Sequence, residues 1–272
     1  MECQMSDEPT ADPRSTWDRL APIYMRELDR RFEAVVDLVI AAAGLSAGEC
    51  VVDVGTGTGS VALKAAKLVG PAGNVLGIDI SAGMLRLAEE RARDAGAVNV
   101  AFREGSAHAI PEAVAAADVL TSSLCLMFVP DRGAAARECA RVLRPGGRFI
   151  ASAWGPPERC DIVRLQQIVA RHAGAPSAPE VSPVGLADPS AFLGQLRDAG
   201  IEASVTRHDV VFGHDSLHQA FEIASIVSRA AMTPELEQQA KAEIAAAMWQ
   251  EPDAPRLLRN EIVLIAGRRT GG

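Results

Sequence analysis

The chain reads as an α/β protein built on a seven-stranded, mostly parallel sheet with helices on both faces, preceded by N-terminal helices and carrying a helical insertion before the last strand. Three observations predict this. Short β-branched runs alternate with segments whose apolar residues recur every three or four positions. A glycine-rich turn, Gly55-Thr56-Gly57-Thr58-Gly59, follows the first of those runs directly. The chain has 272 residues, 48% of them apolar and 23% charged, enough to bury a substantial core.

Residues 1–14 are polar and rich in Asp, Glu and Pro, and they read as a disordered arm. From 17 to 43, Leu20, Ile23, Leu28, Phe32, Val35, Val36 and Val39 keep a helical period, which predicts one or two helices. Strands are expected at 50–54, 74–79, 98–104, 118–122 and 148–153, with helices at 60–69, 82–95 and 132–142 between them. Beyond Pro156-Pro157 a helix is expected at 159–172. Asp188-Pro189 reads as a cap for a helix running to Ala199. A strand at 201–212, helices at 216–231 and 234–248 and a closing strand at 261–267 complete the chain. Residues 15–272 read as a single domain, with 156–190 and 213–258 as insertions on the substrate side.

Composition excludes several classes of partner. The net charge is −8 and no Lys/Arg run interleaves with aromatics, so nucleic acid is not an expected ligand. The five cysteines show no CxxC spacing and no nearby histidine cluster, so neither a metal site nor a disulfide framework is expected. No signal-peptide core or membrane-length apolar run is present. A cytoplasmic protein acting on a small molecule is the expectation.

The glycine turn carries the chemistry. Glycine tolerates positive φ and brings the backbone close to a ligand. A pyrophosphate-binding G-x-G-x-x-G turn would place its third glycine at position 60, where this chain has Ser60, the glycine standing at 59. Asp53, two residues before the first glycine, suits an amino-acid ammonium better than a pyrophosphate. The second strand ends at Asp79, twenty residues beyond Gly59, where a carboxylate can accept from two ribose hydroxyls.

Successive motifs VVDVGTGTG, GIDIS with GML, ADVLTSSLCLMFVPD and RVLRPGGRFIASAW resemble those of class I S-adenosylmethionine-dependent methyltransferases, in particular the small-molecule group similar to ubiquinone/menaquinone biosynthesis methyltransferases. The resemblance is strong over about residues 15–155. It implies a Rossmann-like sheet and S-adenosyl-L-methionine as cofactor. It implies that Asp53, Gly55, Thr56, Gly57 and Gly59 hold the methionine portion, Asp79 the ribose, Ile80 and Met84 the adenine faces, Gly105, Ser106 and Ala107 the adenine edge, and Ser122 and Ser123 the sulfonium end. Two positions depart from the family. Ser106 stands where an acidic residue is common, and Cys125 where many relatives have glycine.

The implied reaction is methyl transfer to O, C or N of a small, fairly apolar metabolite by in-line displacement. His214 and His218, at helical spacing, are candidate bases, although solvated surface histidines are the blander reading for both. Tyr24, the only tyrosine, could bond the cofactor or the substrate, or pack on the sheet. Met127 and Trp154 are candidate substrate-wall residues, Trp154 because it ends the fifth strand. The apolar helix around Phe221, Ile223, Ile226 and Val227 could cap a lipophilic substrate or form a homodimer interface. Two alternatives stay open: a nicotinamide-dependent oxidoreductase, and a methyltransferase fold with a non-methylating role.

Overall fold

A computed structural model describes residues 13–111, 116–174, 182–225 and 232–271. The sheet contains β1 (Cys50–Val54), β2 (Asn74–Asp79), β3 (Val100–Glu104), β4 (Ala117–Ser123), β5 (Leu143–Trp154), β6 (Ile201–His214) and β7 (Arg256–Arg269) in the order β3-β2-β1-β4-β5-β7-β6. β1 to β5 pair in parallel, and β7 runs antiparallel to both β5 and β6. This is the seven-stranded, mostly parallel, Rossmann-like sheet that the sequence predicts. Sequence order reverses between β1 and β4, so the carboxyl ends of those two strands flank the crevice where such sheets bind ligands.

Helices cover both faces. On one, Val36 and Val39 of α2 (Glu33–Ala43) and Val61 and Ala65 of α3 (Ser60–Val69) pack with Val51, Val75, Val119 and Ile150. On the other, Ala136 and Ala140 of α5 (Arg132–Val142) and Phe192 and Leu196 of α7 (Ser190–Asp198) pack with Leu120, Phe149 and Ile265. β1 and β4 are buried on both faces along most of their length, as central strands of a parallel sheet covered by helices are, with polar residues only where their carboxyl ends meet the crevice and at Asp118.

The N-terminal region starts helical at Pro13, inside the segment expected as an arm; residues 1–12 lie outside the described ones. α1 (Pro13–Ile23) passes into a π-helical turn, Tyr24–Leu28, closed by Asp29 N–H donating to the Tyr24 carbonyl. Pro22 lacks an N–H, which loosens the helical ladder just before that widened turn. α1 lies along α4 (Ala82–Asp94), where Ala21 packs with Met84 and Leu87.

The segments expected on the substrate side differ more from the sequence reading. α6 (Asp161–His172), α8 (Leu217–Ala224) and α9 (Pro234–Met248) share a separate apolar cluster containing Leu165, Phe221, Ile244 and Trp249. The part of the expected 216–231 helix beyond Ser225, with Ile226 and Val227, lies outside the described residues. β7 begins at Arg256, five residues before the expected 261, and β6 runs to His214. Arg256, Arg259 and Asn260 hide the strand pattern there, because ladder pairing with β6 rather than alternation holds that stretch. Pairing of β5 with β7 stops at Trp154–Ile262, so residues 209–214 and 256–261 form a two-stranded ribbon projecting past the carboxyl end of β5.

Candidate functional site

The glycine turn adopts the conformation its composition predicts. Gly55, Gly57 and Gly59 have φ of +70°, +54° and +84°. A Cβ on Gly55 would stand 2.2 Å from Cys125 Sγ, whereas one on Gly57 would meet nothing within 4 Å. The turn is thus pinned by Cys125 at one glycine and open to a ligand at the next. Cys125, the departure from the family pattern, packs against the turn directly, and burial, followed by the Asp79 carboxylate, pushes its thiol up to about 12. It stays protonated and non-nucleophilic at neutral pH.

Asp53 is 1% exposed, and one of its oxygens accepts from Thr121 Oγ1 at 2.7 Å. Burial raises the carboxyl to about 6. The second oxygen, Oδ2, makes no hydrogen bond of good geometry among the described residues, and the buried hydroxyls of Thr56 and Ser122 reach only the Asp53 carboxyl and the Cys125 thiol, whose pKa values they lower. Native structures seldom leave such atoms poorly paired, and Asp53 and Thr56 border the cleft, where a polar ligand fits them. Asp79 accepts from Gly57 N–H at 2.8 Å and Ser81 N–H at 3.0 Å, which anchors the turn to the end of β2. Burial raises this carboxyl as well.

Of the other expected contact residues only Ser123 lines the cleft; Ile80, Gly105, Ser106, Ala107 and Ser122 lie at the carboxyl ends of β2, β3 and β4, and Met84 is on α4. Ile80 is half-buried beside Asp79, while Met84 is buried beneath α1. Gly105 N–H donates to the Asp79 carbonyl, Ser106 Oγ lies 3.1 Å from His108 Nδ1, and Ala107 is buried. Ser122 is fully buried, and Ser123 lines the cleft with its hydroxyl 3.3 Å from Ser152 Oγ. The cleft is lined by Tyr24, Asp29, Phe32, Asp53, Gly55, Thr56, Gly57, Ser123 and Leu124, among others.

Several residues that line or brace the cleft escaped the sequence reading. Asp29 accepts from Thr58 Oγ1 at 2.7 Å, from Ser60 Oγ at 3.1 Å and from Arg91 at 2.7 Å, tying the N-terminal segment to the glycine turn and to α4. Asp18 on α1 accepts from Ser81 Oγ at 2.6 Å and Gly83 N–H at 2.8 Å. Leu124 holds φ of +51°, held by hydrogen bonds from its N–H to the Ser152 carbonyl and Oγ. A left-handed leucine is strained, and strain of this kind collects at ligand sites. Nothing in a short sequence window marks these residues, since their partners lie far away in the chain.

The acceptor-side candidates need correction. Trp154 is 3% exposed and sits in an aromatic cluster with Phe32 (5.3 Å between centroids) and Phe212 (6.0 Å). It supports Phe32, which lines the cleft, and is not itself an open wall. Met127 is 1% exposed and belongs to the core. His214 is 3% exposed, packed on Trp249, and is no surface residue; the ribbon beyond β5 carries it inward. His218 is exposed beside Lys241, away from the residues that line the cleft. Tyr24 lines the cleft, and burial, then Asp29, Asp79 and Cys125, raises its hydroxyl well above the usual tyrosine range. That direction keeps the hydroxyl protonated, a state that can donate a hydrogen bond but cannot act as a base.

A family model described as a methyltransferase domain matches residues 45–172. The ubiquinone/menaquinone biosynthesis C-methyltransferase UbiE of Klebsiella pneumoniae is 31% identical over 196 residues, covering 67% of this chain and 78% of that protein. The chain belongs to the class I S-adenosylmethionine-dependent methyltransferases. Family membership decides against the nicotinamide alternative, in agreement with the glycine spacing. Solved structures share the fold: YcgJ of Bacillus subtilis superposes with a TM-score of 0.63 at 22% identity, over 88% of this chain and 99% of that one. The [4+2]-cyclase SpnF superposes with a TM-score of 0.59 at 23% identity, over 88% and 82%. In the methyltransferase described here, the matched 45–172 segment contains the glycine turn, Asp79 and β4. The N-terminal segment with Tyr24 and Asp29 and the ribbon with His214 lie outside it. Among the described residues no helix is long and apolar enough to cross a membrane.

Proposed function

We propose that this methyltransferase moves the methyl group of S-adenosyl-L-methionine to O, C or N of a small, fairly apolar metabolite. The observation that carries the proposal is the cleft itself. One side presents Asp53, Gly55, Thr56 and Gly57 with poorly paired polar atoms, and the other presents Tyr24, Phe32 and Leu124. The donor set fits the cofactor: a carboxylate with a spare oxygen for an ammonium, open backbone at Gly57, and Asp79 for a pair of hydroxyls.

When bound, the cofactor supplies a methyl group activated by its sulfonium. The chain's own residues then orient and exclude water. Asp53, fixed by Thr121, and Thr56 hold the amino-acid end; Asp79 holds the ribose; Ser122 and Ser123 stand at the end of β4. The N-terminal segment closes the cleft through Asp29 and Asp18, which keeps the reaction dry. Tyr24 donates its hydroxyl into the cleft. The Klebsiella relative's description as a C-methyltransferase keeps carbon among the acceptor atoms.

The test is incubation with methyl-labelled cofactor and a metabolite extract, with mass detection of labelled product. Labelled small-molecule product is the expected result. Binding of S-adenosylhomocysteine with no methylated product under any extract would overturn the transfer activity and favour the fold in a non-methylating role.

A further inference from the structure

The projecting ribbon carries a buried polar group that the cofactor does not use. His214 and Arg256 are direct cross-strand partners in the β6–β7 ladder, so their side chains lie on the same face. Both ring nitrogens of His214 and Nε of Arg256 are buried without a hydrogen-bond partner among the described residues. Folded proteins pair such atoms with protein, water or ligand, so the Arg256 N–H and one imidazole N–H side by side mark a place where an acceptor oxygen can bond.

The surroundings define what kind. Arg31, from the N-terminal segment, donates to the Gly213 carbonyl at 2.7 Å and brings a second guanidinium to the ribbon. Burial, then Arg31, holds His214 down at about 4 against the opposing pull of Asp215, so the ring is neutral at neutral pH and offers one N–H donor. Arg31 is already engaged by Glu27, whose carboxylate lies 3.9 Å away, and Asp215 adds a second acid, so the Arg256 guanidinium and a neutral imidazole beside the indole of Trp249 are the groups that favour a monoanion over a cation or a dianion.

Packed aromatic rings connect this group to the wall of the cofactor cleft. Phe212, two residues before His214 on the same face, packs on Phe32 at 5.5 Å, and Phe32 lines the cleft. We propose that the methyl acceptor is an aromatic or similarly apolar acid whose carboxylate is received by His214 and Arg256, with its apolar body along Phe212 and Phe32. The assignment rests on the methyltransferase reading above and names its substrate class. His214 is here a specificity residue and not a base.

The experiment uses the full chain with S-adenosylhomocysteine bound. The His214 ring signal is assigned in ¹³C-labelled protein by its disappearance in His214→Asn. A panel of aryl carboxylates, benzoate through 1-naphthoate, is then titrated beside the matching methyl esters and aryl phosphates. At least one carboxylate should shift the His214 signal and bind ten-fold or more tighter than its ester, and Arg256→Met should abolish that preference while leaving S-adenosylhomocysteine affinity within two-fold. Equal binding of acid and ester, tighter binding of the phosphates, or no shift from any member would overturn the carboxylate site. Failure of the wild-type chain to bind S-adenosylhomocysteine would instead overturn the methyltransferase reading on which it rests.

Discussion

Asp29 and Arg91, 62 positions apart in the chain, meet at 2.7 Å, and the same carboxylate accepts from Thr58 and Ser60 at the glycine turn. The pair is only partly exposed, at 33% for Arg91 and 12% for Asp29, so it acts as a clasp and not as a solvated surface contact. Asp29→Ala would leave two hydroxyls and a guanidinium without their shared acceptor. It should weaken S-adenosylhomocysteine binding by about 1–3 kcal/mol, read by titration calorimetry. Unchanged affinity would separate the clasp from cofactor retention.

Asp79 anchors the turn, through Gly57, and is the carboxylate proposed to hold the ribose hydroxyls. Asp79→Ala should cost on the order of 2–4 kcal/mol of adenosyl affinity through loss of charge-assisted hydrogen bonds. Calorimetry with S-adenosylhomocysteine checks it, and affinity equal to wild type would move the ribose elsewhere.

Asp53 gives a pH signature. Its folded value of about 6 lies above the ordinary 3.8, so the native state prefers the protonated form. Stability is fully favoured by this group below about pH 3.8 and is lost as pH rises through 6, where the ionised carboxylate costs roughly 3 kcal/mol. The Asp53→Asn variant escapes that penalty. Its unfolding midpoint relative to wild type should therefore climb between pH 4 and 6 and level off above; a difference that stays flat across this range would contradict the assignment.

Gly55 and Cys125 form a steric pair. Gly55→Ala should destabilise the protein by about 1–3 kcal/mol, because the added methyl group meets Cys125 and φ is +70°. In a double-mutant cycle, Cys125→Gly should recover the steric part while the backbone strain remains. Strict additivity of the two substitutions in denaturant unfolding would show that the contact is relieved some other way.

Trp154 holds the aromatic cluster behind Phe32. With the side chain buried, Trp154→Ala should lower stability by about 3–5 kcal/mol and raise the acceptor's KM through a displaced Phe32. Cofactor affinity should change little. A loss confined to cofactor binding would show that the cluster serves the wrong ligand.

Most of the sheet was legible because buried parallel strands and amphipathic helices write local patterns: β1, β2, α3, α5 and α9 fall at their expected positions. The glycine turn was legible for the same reason, since positive φ demands glycine at fixed intervals. What escaped detection depends on distant pairing. Asp29 looks like any surface acid until α4 brings Arg91 to it, and Leu124 has no turn chemistry in its side chain to announce its left-handed backbone. His214 reads as a surface residue because its burial comes from Trp249 and Arg31, supplied by elements 35 residues after it and 183 before it in the chain.

The position of β7 between β5 and β6 also dictates an order of assembly. β6 emerges first but has no sheet neighbour other than β7, so until residues 256–269 arrive it is an unpaired strand with α8 and α9 trailing from it. The cofactor half, from β1 to β5, has its ladder complete long before that. Folding should accordingly proceed in two stages, an early nucleotide-side nucleus and a late insertion of β7 that zips β6 and the helical cap into place together. The delayed stage exposes one long edge strand to other chains, which makes Ile201–His214 the segment most exposed to misassembly during synthesis.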